Sequence, residues 1–127
     1  NISPLVKFNN GIDFPIFGYG TYKIPDLDKV IYESIKNGLR HVDTAKIYDN
    51  EIEVGLGIEK ALSDKIVKRE ELYVTTKLWH TDKDDVEKAL RTSLSKLKLD
   101  YVDLYLMHYQ SSIHHRSRGH FSLLQLH

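Results

Sequence analysis

Two short apolar runs near the start of the chain flank a turn. Leu5–Phe8 and Ile12–Phe17 are separated by Asn9-Asn10-Gly11, and Asn-Gly between two such runs favours a β-hairpin. Residues 16–20 extend the second run, and their two glycines indicate the close approach of another backbone. The sequence therefore predicts a hairpin followed by a further short strand.

Beyond the hairpin, the apolar residues alternate between helical and strand spacing. Three segments carry an apolar face at the three- and four-residue spacing of a helix. These faces are Leu27, Val30, Ile31 and Ile35; Val54, Ile58, Ala61 and Leu62; and Val86, Leu90, Leu94 and Leu97. Three strand candidates lie between them, namely Leu39–Asp43, Leu72–Lys77 and Tyr101–Met107. This order predicts an α/β fold built from parallel βαβ units.

Residues with known capping preferences mark the ends of the predicted helices. Gly38 takes the position that commonly follows a helix. Asn50 and Thr81 are each followed three residues later by an acidic residue, which predicts capped starts for the second and third helices. Gly55 and Gly57 each weaken the second helix by up to ~1 kcal/mol, so they indicate tight packing.

Polar residues stand where the predicted strands end. Asp43, Lys77 and His108 close strands at intervals of 34 and 31 residues, an even spacing that suits the repeated βα unit of a barrel. Tyr48 follows Asp43 in a loop. Because catalytic residues usually lie at the carboxyl ends of parallel strands, we expect these four side chains to lie together on one rim of the sheet.

These four residue types suit the protonation of an oxygen. A tyrosine hydroxyl is a weak acid, and a nearby ammonium favours its ionised form and speeds proton donation. Asp43 would hold Lys77 charged and fixed, and His108 would orient a carbonyl oxygen. Each residue alone also has an ordinary interpretation: a cap or loop acceptor, a solvated charge, a packed aromatic and a structural histidine.

Composition and charge exclude several classes of protein. The 127 residues are 41% hydrophobic and 28% charged, as in ordinary globular proteins. Lysine plus arginine, 18 in all, balance 18 aspartates and glutamates, so no net charge favours nucleic acid or a membrane surface. There is no cysteine, and no apolar run approaches the ~20 residues of a membrane span. We expect a cytoplasmic protein with no metal site.

The composition changes after the fourth predicted strand. Residues 109–127 show neither helical nor strand spacing, contain no acidic residue and hold four of the seven histidines. His114, His115 and His120 lack acidic or cysteine companions, so a solvated tail is a simpler interpretation than a metal site. We expect a divergent tail, and hypothesise that it is a shifted-frame or alternatively spliced continuation.

Four segments, in order along the chain, resemble the aldo-keto reductase family. They are Gly18-Tyr19-Gly20-Thr21-Tyr22, His41–Glu51 with Glu53-Val54-Gly55, Thr75-Thr76-Lys77-Leu78-Trp79, and Leu94–His108. The opening hairpin also has a counterpart, which plugs the base of the barrel in that family. The resemblance implies the N-terminal half of a (β/α)8 TIM barrel over residues 1–108, truncated to the hairpin, about four strands and three helices, with the divergent tail at 109–127.

The resemblance implies a catalytic role for each of the four polar residues. Tyr48 would be the general acid, tuned by Lys77 and Asp43, and His108 would position the substrate carbonyl. Family members reduce aldehydes and ketones with NADPH, usually in the cytosol. The expected partner is therefore a small carbonyl compound.

The resemblance also implies contacts with the cofactor and the substrate. Thr21 and Tyr22 would border the nicotinamide of NADPH, and Asp43 would contact its ribose. Trp79 would form a wall of the substrate pocket, although an ordinary, partly buried aromatic is an equally simple interpretation. The family's anchors for the cofactor amide, pyrophosphate and 2′-phosphate lie mostly on later strands, so we expect most of the NADPH site in the missing half.

The sequence departs from the family pattern, and other functions stay open. Asp49 and Lys98 stand where the family often has glycine, and Tyr109-Gln110 replaces a typical Trp-Pro. The chain could be a catalytically inactive fragment or an interaction module that retains the fold. A Schiff-base aldolase with Lys77 as nucleophile is a further alternative.

A half barrel would leave strand edges without partners. We expect such edges on the Gly18 side and on the Leu104 side of the sheet. Unpaired edges favour association with another chain.

Overall fold

The computed structural model describes residues 2–108 and the strand at 121–124. A two-stranded antiparallel hairpin comes first, formed by β1 (Leu5–Lys7) and β2 (Asp13–Pro15). The main sheet contains β3 (Gly18–Gly20), β4 (His41–Asp43), β5 (Tyr73–Trp79), β6 (Leu104–His108) and β7 (Phe121–Leu124). The helices are α1 (Leu27–Lys36), α2 (Glu51–Ser63) and α3 (Val86–Leu97), with 3-10 helices at Lys46–Tyr48, Arg69–Glu71 and His80–Asp82.

Strands β3 to β6 are parallel neighbours in chain order, and α1, α2 and α3 connect them in turn. In the register, Asp43 lies between Gly20 and Thr75, and Trp79 lies opposite His108. The hairpin and the alternation of strands and helices are as predicted from the apolar pattern. The carboxyl ends of the four strands therefore meet at one rim of the sheet.

The main hydrophobic core lies between the sheet and the helices. Its fully buried members come from α1, α2, the end of α3 and the outer face of β4 and β5, and include Ile31, Ile35, Val42, Val54, Ile58, Ala61, Val74 and Leu97. Burying a side chain of this size contributes about 1.5–3 kcal/mol of hydrophobic free energy. This core fixes the strands whose other face carries the candidate site.

Across the described residues, each helix is too short or too polar to span a bilayer.

The two glycines of α2 allow close contact with both neighbouring helices. A Cβ atom on Gly55 would lie 2.6 Å from the carbonyl oxygen of Lys96, and one on Gly57 would lie 2.6 Å from that of Asp28. Both distances are too short for a carbon atom against backbone. The predicted tight packing is confirmed.

The helix ends agree only in part with the capping pattern. Gly38 follows α1 with φ of 103°, a conformation that favours glycine, as predicted. Asn50 precedes α2, but its side chain caps no helical N–H. The predicted cap at Thr81 is wrong, because α3 begins after Asp85, whose side chain accepts a hydrogen bond from the Lys88 N–H.

The buried face of α3 also differs from the prediction. Ala89, Ser93 and Leu97 are buried, whereas the predicted members Val86, Leu90 and Leu94 are only partly buried. Ser93 is buried because its hydroxyl donates to Oε1 of Glu51 at 3.0 Å. The apolar pattern could not include a serine whose partner lies on another helix.

Two predictions about the strands need correction. Lys77 does not close a strand, because β5 continues to Trp79 and buries Lys77 within it. The edge on the Leu104 side is not open, because β7 pairs antiparallel with β6. On the Gly18 side, β3 is the edge strand among the described strands of the sheet, as predicted. Residues 109–120 and 125–127, including the histidine tract at 114, 115 and 120, lie outside the described residues.

Candidate active site

The inner face of the sheet carries the polar residues of the site. Val42 and Val74 point toward the helices, so the alternation along a strand places His41, Asp43, Thr75 and Lys77 on the opposite face. At the amino end of the strands, Phe14 of the hairpin contacts the rings of His41 and Tyr73 at centroid distances of 5.0 Å. The hairpin thus covers the floor and leaves the rim at the carboxyl ends for chemistry.

Lys77 lies at the centre of the hydrogen-bond network on this rim. Its side chain is only 5% exposed, and its ammonium donates to Oδ1 of Asp43, to the carbonyl oxygen of Thr44 at 3.1 Å and to the hydroxyl oxygen of Tyr48 at 3.5 Å. A buried charge is costly unless it is paired and hydrogen-bonded. Asp43 and Thr44 meet that requirement, and they hold the ammonium against the phenol.

Tyr48 ends a single turn of 3-10 helix directly above Lys77. The ammonium lies 5.2 Å from the centre of its ring. An ammonium that donates to a phenol oxygen stabilises the negative charge left when the proton departs. On the neighbouring strand β6, burial, with the charges of Glu51 and Asp82, raises the pKa of Tyr105 to about 12.

His108 and Trp79 occupy the neighbouring part of the rim. They are opposite one another in the β5–β6 register, and their rings meet edge to face at a centroid distance of 5.4 Å. Burial lowers the pKa of His108, and the charge of Lys77 acts in the same direction while Asp43 opposes it. The imidazole is therefore mainly neutral at physiological pH and retains one N–H donor.

Thr21 and Tyr22 follow β3 at the same rim. The backbone N–H and the hydroxyl of Thr21 each donate to the carbonyl oxygen of Asp43 at 3.2 Å. The ring of Tyr22 lies 5.2 Å from that of Tyr48 and remains 57% exposed. The seven residues singled out in the sequence form two groups near the carboxyl ends of the strands. Hydrogen bonds and a ring contact link Thr21, Asp43, Lys77, Tyr48 and Tyr22, and a ring contact links Trp79 to His108.

Three further side chains support this rim, and none of them was predicted from the sequence to do so. Asn50 donates from Nδ2 to the carbonyl oxygen of Thr21 at 2.7 Å. Glu51 is buried and accepts from the hydroxyls of Thr76 and Ser93 at 2.8 and 3.0 Å. Lys46 forms an ion pair with Asp82. Their partners lie 25 to 42 residues away, so no local pattern could reveal them.

Asp43 and Gly20 leave one part of the rim accessible to a ligand. Asp43 keeps 41% of its side chain exposed while Lys77 binds one of its oxygens, so the carboxylate can accept a hydrogen bond from a sugar hydroxyl. Beside it, the space over Gly20 is open, with no atom within 4 Å of a Cβ built there.

Within the described residues, no group of three or more histidine or carboxylate side chains could hold a metal ion.

The comparisons with known proteins agree with this geometry. The family model for the Aldo/keto reductase family matches residues 17–125. The chain belongs to the aldo-keto reductase family. It is 49% identical over 111 residues to an NADH-dependent D-xylose reductase of Candida parapsilosis, covering 84% of the chain and 34% of that protein. It is 40% identical over 116 residues to an NADP-dependent D-sorbitol-6-phosphate dehydrogenase of Malus domestica, covering 90% of the chain and 37% of that protein.

A solved structure extends the family relationship to the fold. The crystal structure of a Bombyx mori aldo-keto reductase in complex with NADP superposes with a TM-score of 0.77 at 43% identity, covering 84% of this chain and 38% of that one. The predicted fold class, part of the (β/α)8 barrel of the aldo-keto reductases, is confirmed. The chain spans about a third of the length of the curated relatives named here.

Proposed function

We propose that this aldo-keto reductase chain carries the proton-donating half of a carbonyl reductase site, which reduces aldehydes or ketones to alcohols with NADPH. The observation that carries the proposal is the buried Lys77 ammonium, which contacts both the Asp43 carboxylate and the Tyr48 hydroxyl. A buried ammonium against a phenol favours the loss of the phenol's proton. The family relationship supports the reaction class, since its named members include xylose reductases.

In the proposed reaction, Tyr48 gives its proton to the carbonyl oxygen. The reduced nicotinamide, when bound, supplies the hydride that forms the new C–H bond at the carbonyl carbon. As the C=O π bond breaks, its electron pair moves to oxygen and takes the proton of Tyr48, so the product is an alcohol. The Tyr48 phenolate left behind is stabilised by Lys77, whose own charge is balanced by Asp43. A proton from solvent then restores the phenol.

His108 and Trp79 would position the substrate. A neutral imidazole can donate one hydrogen bond to the carbonyl oxygen without competing with Tyr48 as an acid. The lowered pKa of His108, caused first by burial, favours that neutral form. Trp79 contacts the edge of His108 and would give the pocket an apolar wall, which suits carbonyl compounds with aromatic or aliphatic substituents.

The cofactor would be held by Thr21, Tyr22 and Asp43 at its nicotinamide end. The crystallised Bombyx mori relative is complexed with NADP, which supports NADPH. Other relatives are named for NADH or for both cofactors. A comparison of the two cofactors therefore belongs in any assay.

Titration of the whole chain with NADPH, followed by an assay with an aromatic aldehyde, tests the proposal. Quenching of Trp79 fluorescence reports binding, and oxidation of NADPH together with alcohol formation reports reduction. Saturable binding with stoichiometric alcohol is the expected result. Binding without reduction would favour an inactive module that retains the fold, and the absence of both would favour a fragment without a catalytic role.

An edge strand favours one alternative. Because β3 is the edge of the described sheet and such edges favour pairing with another chain, an interaction module that retains the fold is the second candidate function. The Schiff-base alternative fits the structure less well. The Lys77 side chain is 5% exposed and donates to three oxygens, so a substrate carbonyl carbon has little access to its nitrogen.

A further inference from the structure

An ion pair joins the two rim segments that carry Tyr48 and Trp79. Lys46 is the first residue of the 3-10 helix that ends at Tyr48. Asp82 is the last residue of the 3-10 helix that directly follows Trp79. The Lys46 ammonium donates to Oδ2 of Asp82 across 36 residues of chain. Among the salt bridges of the described part of the chain, this is the one that connects these two segments.

The surroundings of this pair differ from those of the pairs on the helix surfaces. The side chains of Lys46 and Asp82 are 35% and 23% exposed, whereas those of Glu87 and Arg91 on α3 are both 75% exposed. Exposed pairs of the second kind have little influence on structure, because water and salt screen them. A partly buried pair between two short irregular segments restricts the movement of both segments, since neither has the hydrogen bonds of a long helix or strand.

The position of the pair relates it to the geometry of the site. Tyr48 is held from below by Lys77, and Trp79 is held from the side by the ring of His108. Lys77 stands two residues before Trp79 on β5, so its contact with Tyr48 restrains the separation between Tyr48 and Trp79 at the strand itself, but not beyond its end. The Lys46–Asp82 pair joins the segments on which these two side chains stand, so it limits how far they can move apart.

We propose that Lys46 and Asp82 are positioning residues that set the distance between the Tyr48 hydroxyl and the Trp79 wall. The structural part of this proposal concerns the chain alone. Its consequence for catalysis, that the pair limits the size of the carbonyl compound admitted, rests on the proposed function. The two parts can be tested separately.

Trp79 provides a direct readout, because it is the one tryptophan in the sequence. The experiment measures acrylamide quenching of tryptophan fluorescence in the whole chain, with thermal unfolding followed by circular dichroism on the same samples. The variants are Lys46→Ala, Asp82→Ala and the exchange Lys46→Asp with Asp82→Lys. Glu59→Ala is the matched control, because it removes the ion pair with Lys98, 39 residues away along the chain and remote from the rim.

The proposal predicts that each single variant raises the quenching constant and shifts the emission of Trp79 to longer wavelength. The exchange restores both values toward those of the unchanged chain, and Glu59→Ala leaves them unaltered. Unchanged quenching in the single variants would overturn the proposal. A rise that the exchange does not reverse, or that appears only with loss of the helical signal, would also overturn it.

The catalytic consequence is measured in the same variants with a small and a bulky aldehyde. We expect the difference between the KM values of the two aldehydes to be smaller in Lys46→Ala than in the unchanged chain. We also expect kcat for the small aldehyde to fall about tenfold or more in this variant, because Tyr48 is less well placed. If the unchanged chain reduces neither aldehyde, the proposed function fails, and the fluorescence results still decide the positioning role.

Discussion

Residues of one type acquire different properties in this chain through their surroundings. Lys77 is buried and bound to three oxygens at the rim, whereas Lys7 forms an exposed pair with Asp13 on the hairpin. Tyr48 lies against an ammonium, while burial and neighbouring carboxylates raise the pKa of Tyr105 to about 12. The proposed chemistry therefore depends on the surroundings of each side chain and not on its residue type alone.

The sequence singles out Asp43, Tyr48, Lys77 and His108 as candidates, but it does not contain their contacts. Their positions near the predicted carboxyl ends of parallel strands were sufficient to predict a common rim, because such strands end together, although Lys77 lies within β5 rather than at its end. The hydrogen bond from Lys77 to the carbonyl oxygen of Thr44 depends on the depth of Lys77 within β5. That depth is set by tertiary register, which the apolar pattern does not contain.

His41 predicts a pH dependence of stability. Burial lowers its pKa from 6.5, Asp43 opposes that shift, and Lys77 reinforces it. As pH falls from about 7 to about 5, the unfolded chain takes up this proton before the folded chain does, so the free energy of unfolding decreases. His41→Phe keeps the ring contacts with Phe14 and Tyr73 and should reduce this decrease, as measured by urea unfolding at several pH values.

The exposed Thr81 serves as the control for this experiment, because its replacement leaves every imidazole in place. Thr81→Ala should leave the pH dependence of the free energy of unfolding as it is in the unchanged chain. His108 has a shift of the same direction, so some dependence remains in His41→Phe. An equal decrease in His41→Phe and in the unchanged chain would show that His41 does not contribute.

At the scale of the elements, α2 depends on close contact rather than on helix propensity. Alanine in place of Gly57 would improve helix propensity by about 1 kcal/mol. Its Cβ atom would, however, lie 2.6 Å from the carbonyl oxygen of Asp28 on α1. We expect Gly57→Ala to lower the free energy of unfolding by about 1–3 kcal/mol, since overpacking displaces backbone. Denaturant unfolding measures the change, and a more stable Gly57→Ala protein would contradict the packing described here.

The start of α3 provides a second test at this scale. The side chain of Asp85 accepts from the N–H of Lys88, so Asp85→Ala should cost about 0.5–2 kcal/mol of folding free energy. Thr81 precedes the helix by several residues, and Thr81→Ala should change stability by less than about 0.5 kcal/mol. The same unfolding measurement compares the two variants. A larger loss for Thr81→Ala would place the cap where the sequence pattern predicted it.

Most elements could be predicted because their apolar spacing reflects burial against the sheet. The hairpin and α1 follow directly from Asn10-Gly11 and from the spacing of Leu27, Ile31 and Ile35. The start of α3 could not be predicted, because Thr81 and Asp85 both suit a cap and only tertiary packing decides between them. Strand β7 was missed because the tail lacks any periodic pattern, and pairing with β6 is a long-range event.

At the scale of the whole molecule, the described residues include exposed apolar side chains next to an edge strand. Leu5, Ile16 and Phe17 are exposed, and Phe17 immediately precedes the edge strand β3. Unpaired edges with neighbouring apolar surface favour association. We propose that the chain associates through this edge, so its sedimentation coefficient should rise with concentration.

Variants locate that association. Phe17→Glu places a charge beside the β3 edge and should weaken the concentration dependence. Ile52→Glu changes a comparably exposed residue on α2 and should leave the dependence unaltered. A chain that sediments as a monomer at every concentration, or equal effects of the two variants, would refute association through the β3 edge.

The proposed reaction depends on Tyr48 as the proton donor beside Lys77. The most direct test compares kcat for NADPH-dependent reduction of an aromatic aldehyde in the unchanged chain, in Tyr48→Phe and in Tyr101→Phe. Tyr101→Phe is the control, because Tyr101 is an exposed tyrosine whose ring packs on Arg69. We predict that Tyr48→Phe lowers kcat by about 10²–10⁴-fold without loss of NADPH binding, and that Tyr101→Phe changes neither quantity. A kcat in Tyr48→Phe equal to that of the unchanged chain would contradict the central claim.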